Sequence, residues 1–159
     1  MRRRLRSFAA TRAGSWLFAR ILQRLDEPVL RATRGRANLT SFLAGLPVIV
    51  LTTTGARSGE PRSVPLVGLR AGSGTYAVIA SNFGQRHHPA WSYNLRAHPD
   101  ATITVAGRLT RVRASIAEGD QREVIWRQAL EVYPGYAAYE RRAAHRGIAV
   151  WVLHPATAA

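Results

Sequence analysis

The chain has 159 residues, 47% of them hydrophobic, no cysteine, and a formal net charge of +14 in which all 23 basic residues are arginine. That length suits one domain with a real core, and the composition excludes a disordered chain, a disulfide scaffold, a thiolate metal site and a cysteine nucleophile. No apolar run approaches the ~20 residues of a bilayer-spanning helix, the N-terminus shows no signal-peptide pattern, and the expected location is a reducing cytoplasm.

The charge is uneven. Residues 1–36 hold ten arginines against Asp26 and Glu27, and the remaining 123 residues hold thirteen against seven acids. With lysine absent throughout, arginine at any one position reads partly as compositional bias. A chain this basic attracts nucleic acid, anionic lipid or an anionic small molecule. No aromatic RNA-binding motif interleaves with the arginines and no helix-turn-helix stands out, so no nucleic-acid partner is expected.

In chain order, residues 15–36 read as a helix. Leu17, Phe18, Ile21, Leu22 and Leu25 recur at three- and four-residue spacing, Arg20 and Arg24 fall elsewhere, and Pro28 interrupts the segment. Behind the arginine-rich start, this amphipathic stripe has two readings. One is peripheral contact with an anionic membrane at the inner face of the cell; the other is a cap on the folded body. Residues 1–37 are thus one segment and 38–159 the folded domain. Strands are expected over 48–53, 63–70 and 75–81, with a turn at 71–74. A helix follows over 89–97, with Pro89 in its first turn. A hairpin joins 101–105 to 109–117 around Ala106, Gly107 and Arg108. Residues 119–133 form a helix that ends at Pro134. A short polar helix over 135–145 leads to a last strand over 148–153. Sequential strands with few intervening helices predict an antiparallel, barrel-like sheet with helices packed outside, an α+β fold.

Three clusters carry chemistry. The first is TTTGARSGEPR, residues 52–62, between two apolar runs. Its glycines expose backbone N–H groups, and Arg57 and Arg62 add forked donors that match phosphate or carboxylate. It lacks the Gly-Lys-Ser/Thr ending of a phosphate-binding loop and precedes a strand, so composition alone leans to a solvated hairpin turn. The second, residues 80–100, places Arg86, His87 and His88 beside a helix N-terminus, where anions collect. His87 and His88 have no carboxylate or cysteine near them in sequence, and no metal is expected. The third is YPGYAAYE, where Tyr133, Tyr136 and Tyr139 share one helical face, either as a packed aromatic stripe or as a wall over a ligand. No Ser-His-Asp set or paired carboxylate points to hydrolysis.

Together LTTTGARSGEPR, the strand ending ASN, HPAWSYNLRAHPD, YPGYAAY and the closing IAVWVLHP resemble the deazaflavin (coenzyme F420)-dependent nitroreductase family, a branch of the flavin/deazaflavin oxidoreductases with an FMN-binding-like split β-barrel. The resemblance covers about residues 46–155. It implies an anionic deazaflavin cofactor, coenzyme F420, with FMN as the alternative. It also implies hydride transfer to a small hydrophobic acceptor such as a quinone, enone or nitroaromatic. The rival reading is a non-catalytic cofactor- or lipid-binding barrel.

By that resemblance Ala56, Arg57 and Ser58, then Arg62, Ser63, Val64 and Pro65, hold the cofactor's phosphate, tail and ring. Ala80, Ser81 and Asn82, with Ala90, Trp91, Ser92, Tyr93 and Asn94, enclose the ring and ribityl chain. Tyr133, Tyr136, Tyr139 and Val67 line the substrate side, with Tyr136 first and Ser81 second as catalytic proton donor. The chain departs from the family in three places. Many members have a basic residue where this chain has Ala56; members of the nitroreducing type often have Lys-Gly at Asn82-Phe83; some have an aromatic at Val67. Nitro-drug reduction is therefore not carried over.

Overall fold

The computed structural model describes residues 45–156. The amphipathic segment 15–36, its membrane contact and the boundary near residue 37 lie outside the described residues. Seven strands and three helices follow in the order β1 (Val48–Thr54), β2 (Pro61–Val67), β3 (Leu69–Arg70), β4 (Tyr76–Ile79), α1 (Ala90–Ala97), β5 (Asp100–Val105), β6 (Arg108–Ile116), α2 (Gly119–Val132), α3 (Tyr136–Arg142) and β7 (Val150–Pro155). A single turn of 3-10 helix, Asn82–Gly84, follows β4. No described helix is long and apolar enough to cross a membrane.

All the strand pairs are antiparallel, in the order β2-β1-β5-β6-β7-β4-β3. β2 and β3 are separated by Gly68 alone, yet they stand at opposite ends of that order. Only a sheet curled until its ends approach can satisfy both facts, and β2 does lie against β4. The expected antiparallel split barrel is thus what the chain forms. The single strand expected over 63–70 is corrected: it breaks at Gly68. There the N–H turns to Pro47 O at 3.0 Å, and a Cβ would lie 2.5 Å from Ile49 Cγ2, so the backbone passes only without a side chain. The β5–β6 hairpin turns on Ala106 (φ 48°) and Gly107 (φ 80°), the paired positive φ of a two-residue turn that suits strand twist.

Alternation along the strands builds two cores on opposite faces of one sheet. Inside the curl lie Leu51, Val78, Ile103, Val112, Trp151 and Leu153, joined by Trp91 and Leu95 from α1. On the outer face, Ala77 and Ile79 of β4 and Val150 and Val152 of β7 meet Ile125, Trp126 and Ala129 of α2. Tyr136 and Tyr139 of α3 join this outer core. The short polar helix expected over 135–145 is corrected on both counts. It ends at Arg142, and its tyrosines are buried because the helix packs against the 3-10 turn and α2 with its apolar stripe turned inward.

Candidate functional site: a basic hairpin beside a braced turn

The hairpin between β1 and β2 is a built loop. Gly55 N–H donates to Glu60 O and Gly59 N–H to Gly55 O, both at 2.8 Å. Ser58 Oγ accepts from Glu60 N–H at 3.2 Å. Gly59 sits at φ +69°, and a Cβ on Gly55 would lie 2.5 Å from Ser58 Oγ, so both glycines are geometric requirements. Packed against β1, α1 reaches this loop with one residue. Asn94 Oδ1 accepts from Ala56 N–H at 2.9 Å, and Asn94 Nδ2 donates to Thr53 Oγ1 at 2.9 Å. Thr53 Oγ1 donates in turn to Arg62 O at 3.4 Å. A buried amide satisfied at both ends ties the loop to the helix. Arg57, Ser58, Arg62 and Ser63 remain exposed. Neither arginine has an ion-pair partner among the described residues.

The second wall begins where β4 ends. Ala80 and Ser81 are buried, and Ser81 Oγ makes no hydrogen bond to a described residue. Next come three consecutive positive φ values, Asn82 (45°), Phe83 (55°) and Gly84 (74°). The left-handed conformation costs roughly 1–2 kcal/mol per non-glycine residue, so the turn needs bracing. Asn82 Nδ2 donates to His87 O at 2.9 Å. Arg146 holds the rest: Nη2 to Ser81 O at 2.6 Å, Nη1 to Ala80 O at 3.3 Å and Nε to Gln85 O at 2.9 Å. Its Nη1 also donates to His88 Nδ1 at 3.2 Å. Burial, then Arg146 and Arg96, hold the His88 imidazole below its ordinary value.

Within α1 the residues divide. Ala90 and Tyr93 face outward, while Trp91, Ser92 and Asn94 face inward. Ser92 Oγ accepts from buried Trp151 Nε1 at 2.9 Å. Val64 packs against the inner core, Val67 against the outer one, and Pro65 is half-buried between them on β2.

The three tyrosines form one packed aromatic knot. Tyr133 and Tyr136 meet edge to face at 5.4 Å, Tyr136 and Tyr139 at 6.0 Å, and the Tyr133 and Tyr139 hydroxyls hydrogen-bond at 2.9 Å. Phe83 leans edge-on against Tyr139 at 5.9 Å, so the knot adjoins the braced turn. Burial pushes the Tyr133 and Tyr136 phenols well above their ordinary value. The Tyr136 hydroxyl makes no hydrogen bond to a described residue.

The structure therefore links the predicted segments in one chain of contacts: hairpin, Asn94, α1, His88, Arg146, Ser81, Phe83, Tyr139. Thr53 and Arg146 escaped sequence reading. Thr53 looks like any inward strand residue, and Arg146 is one arginine of 23 in a turn. A groove of about 360 Å³, lined by Thr52, Thr54, Pro61, Thr102 and Arg111, opens at the foot of the hairpin and not over the tyrosines. Among the described residues no three metal-ligating side chains are grouped.

A curled antiparallel barrel with external helices and a basic hairpin at its rim defines a split-barrel protein of the flavin/deazaflavin type. Residues 22–155 match the family model described as F420H(2)-dependent quinone reductase, and the chain belongs to that family, whose cofactor is coenzyme F420. An F420H(2)-dependent quinone reductase of Mycobacterium tuberculosis is 36% identical over 93 residues, covering 58% of this chain. The match spans 61% of that relative's length. Among solved structures, an F420-H2 dependent reductase (FDR-A) is 37% identical with a TM-score of 0.62, covering 68% of this chain and 94% of its own. A domain-swapped dimer is 32% identical with a TM-score of 0.64, covering 88% and 98%.

Proposed function

We propose that this protein is a coenzyme F420-dependent reductase that passes a hydride from the reduced deazaflavin to an electron-poor acceptor, a quinone first, with enones and nitroaromatics as further candidates. The observation that carries this reading is the hairpin: Arg57 and Arg62 stand exposed and without ion pairs among the described residues, on a loop that Asn94 ties to α1. Two guanidinium forks and the Arg57 and Ser58 N–H groups, which donate to no described residue, fit an anionic phosphate and carboxylate tail.

Bound coenzyme F420 supplies a two-electron hydride carrier. The protein's residues do the rest. Arg57, Ser58, Arg62 and Ser63 hold the anionic end, with Asn94 fixing Ala56 beneath them. Val64 and Pro65, with Ala80, Ser81 and Asn82, would flank the ring. Ala90 and Tyr93 present the outer face of α1 to the ribityl chain, while Trp91 and Ser92 hold the helix down. Tyr136, with its phenol pushed upward, stays neutral at working pH. It polarises an acceptor oxygen by donating a hydrogen bond and does not act as a base. The Ser81 hydroxyl is the second donor. Tyr133, Tyr139 and Val67 form the wall that orients Tyr136. The arginines of residues 1–36 extend the proposal to peripheral contact with an anionic membrane, near lipid-soluble quinones.

One observation favours a second reading. The tyrosine knot is closed, as expected of a binding barrel that does not turn over. Titrating the protein with coenzyme F420 and with FMN, then supplying reduced coenzyme F420 and a soluble quinone, separates the two. Saturable F420 binding with quinone-dependent oxidation supports the reductase. Binding without oxidation leaves the binding module, and preference for FMN overturns the cofactor assignment.

A further inference from the structure

We propose that Arg146 is a positioning residue for the ring-side wall: its guanidinium locks the backbone of residues 80–88, and the lock holds only while His88 is neutral. The inference rests on the reductase reading for what the wall flanks, and on the geometry of Arg146 for the rest.

Arg146 follows α3 and meets acceptors from three parts of the chain. Ala80 O, Ser81 O and Gln85 O belong to the wall, His88 Nδ1 stands at the approach to α1, and Gly147 O at 3.0 Å is its own neighbour. No carboxylate pairs with it among the described residues. The charge is met by carbonyl dipoles, and the planar fork is what reaches several of them at once. A lysine ammonium, with three donors on one atom, cannot span them. The lock has strain to oppose. Asn82, Phe83 and Gly84 are all at positive φ, a run that persists only where its surroundings over-determine it. Next to Arg146 in sequence, the His145 ring nitrogen Nε2 donates to Arg86 O at 3.2 Å, so two consecutive residues clamp the same segment.

His88 makes the lock proton-sensitive. A guanidinium only donates, so the bond to Nδ1 requires a lone pair there, which places the ring proton on Nε2 and leaves the imidazole neutral. The groups facing His88 are Arg146 itself, Arg96 on α1 and the Tyr93 ring, edge-on at 5.8 Å. None of them is a carboxylate. A proton on Nδ1 removes the acceptor and sets a third cation against two. Since His88 is held below its ordinary value, the lock is closed near neutral pH and opens as the pH falls through the His88 value. Binding at the wall then weakens on the acid side.

The test uses the full chain, as wild type, Arg146→Gln, Arg146→Lys and His88→Phe. Amide hydrogen exchange is read over residues 82–87, and coenzyme F420 binding is titrated from about pH 5 to about pH 8. Both Arg146 variants should speed exchange there and weaken binding, each by about tenfold or more. Arg146→Lys keeps the charge and decides the matter if Arg146→Gln does not fold. His88→Phe loses the acceptor without adding a cation, so it should bind more weakly than wild type at about pH 8 and lack the wild type's additional decline toward about pH 5, whatever decline remains belonging to the cofactor. Wild-type exchange and affinity in Arg146→Lys would overturn the fork geometry, and an acid decline unchanged in His88→Phe would overturn the proton sensitivity. Wild type that exchanges as described but does not bind coenzyme F420 defeats the reductase reading and leaves the lock standing.

Discussion

The family resemblance makes both the hairpin at residues 55–62 and the tyrosine knot at residues 133–139 candidate ligand sites, and the fold treats them oppositely. The hairpin leaves its cations in solvent, while Asn94, the residue that holds it, is buried. The knot buries its rings and pairs two of its three hydroxyls. A polar group with no protein partner costs little in water and is free to meet a ligand, whereas a buried one must find its partner inside the protein. On the reductase reading proposed above, availability of donors makes the hairpin the anchor, and packing makes the knot a support for Tyr136.

The largest expected effect lies in the knot. Tyr136→Ala removes a ring packed against Trp126, Tyr133 and Tyr139 and should cost about 3–5 kcal/mol in a urea melt. A loss below about 1 kcal/mol would erase the contrast, because the knot would then be a soft lid. Next, Arg57→Ala and Arg62→Ala should each weaken coenzyme F420 binding by about 10- to 100-fold and leave the melting temperature in place. Unchanged affinity in the double variant would remove the anchor. Asn94→Ala should lower stability by about 1–3 kcal/mol, since Ala56 N–H loses its acceptor and Thr53 Oγ1 its donor. It should also weaken cofactor binding, which separates it from a purely structural core change.

Smaller effects divide the tyrosines themselves. Tyr133→Phe breaks the 2.9 Å hydroxyl pair and should cost about 1 kcal/mol. Tyr136→Phe should cost less than that in stability and act mainly on quinone turnover; the reverse ranking would make Tyr136 a plain core residue. Alkaline titration gives the sign check. The Tyr133 and Tyr136 phenols sit above their ordinary value when folded, so the stability they contribute is complete below about pH 10 and declines as pH rises past it. Absorbance of ionised tyrosine should therefore show these two of the five tyrosines ionising only together with unfolding.

Much of this could be read directly from the chain. Alternation placed most strands within a residue or two, Gly107 marked the hairpin turn, and Pro134 ended α2. The glycines and arginines of residues 55–62 announced a loop with donors, and the family resemblance located the segments around it. Each of these is a local matter: backbone conformation follows from side-chain period, turn chemistry and proline within a few residues. Tertiary structure decided the rest. Gly68 sends β2 and β3 to opposite ends of the sheet because the curled sheet brings those ends together. Asn94 turns inward to a loop 38 residues earlier in the chain. Arg146 finds its carbonyls more than 60 residues back, at Ala80, Ser81 and Gln85. The direction in which a side chain points and the partner it meets across that separation are set when the barrel closes, and no period or motif in the chain encodes them.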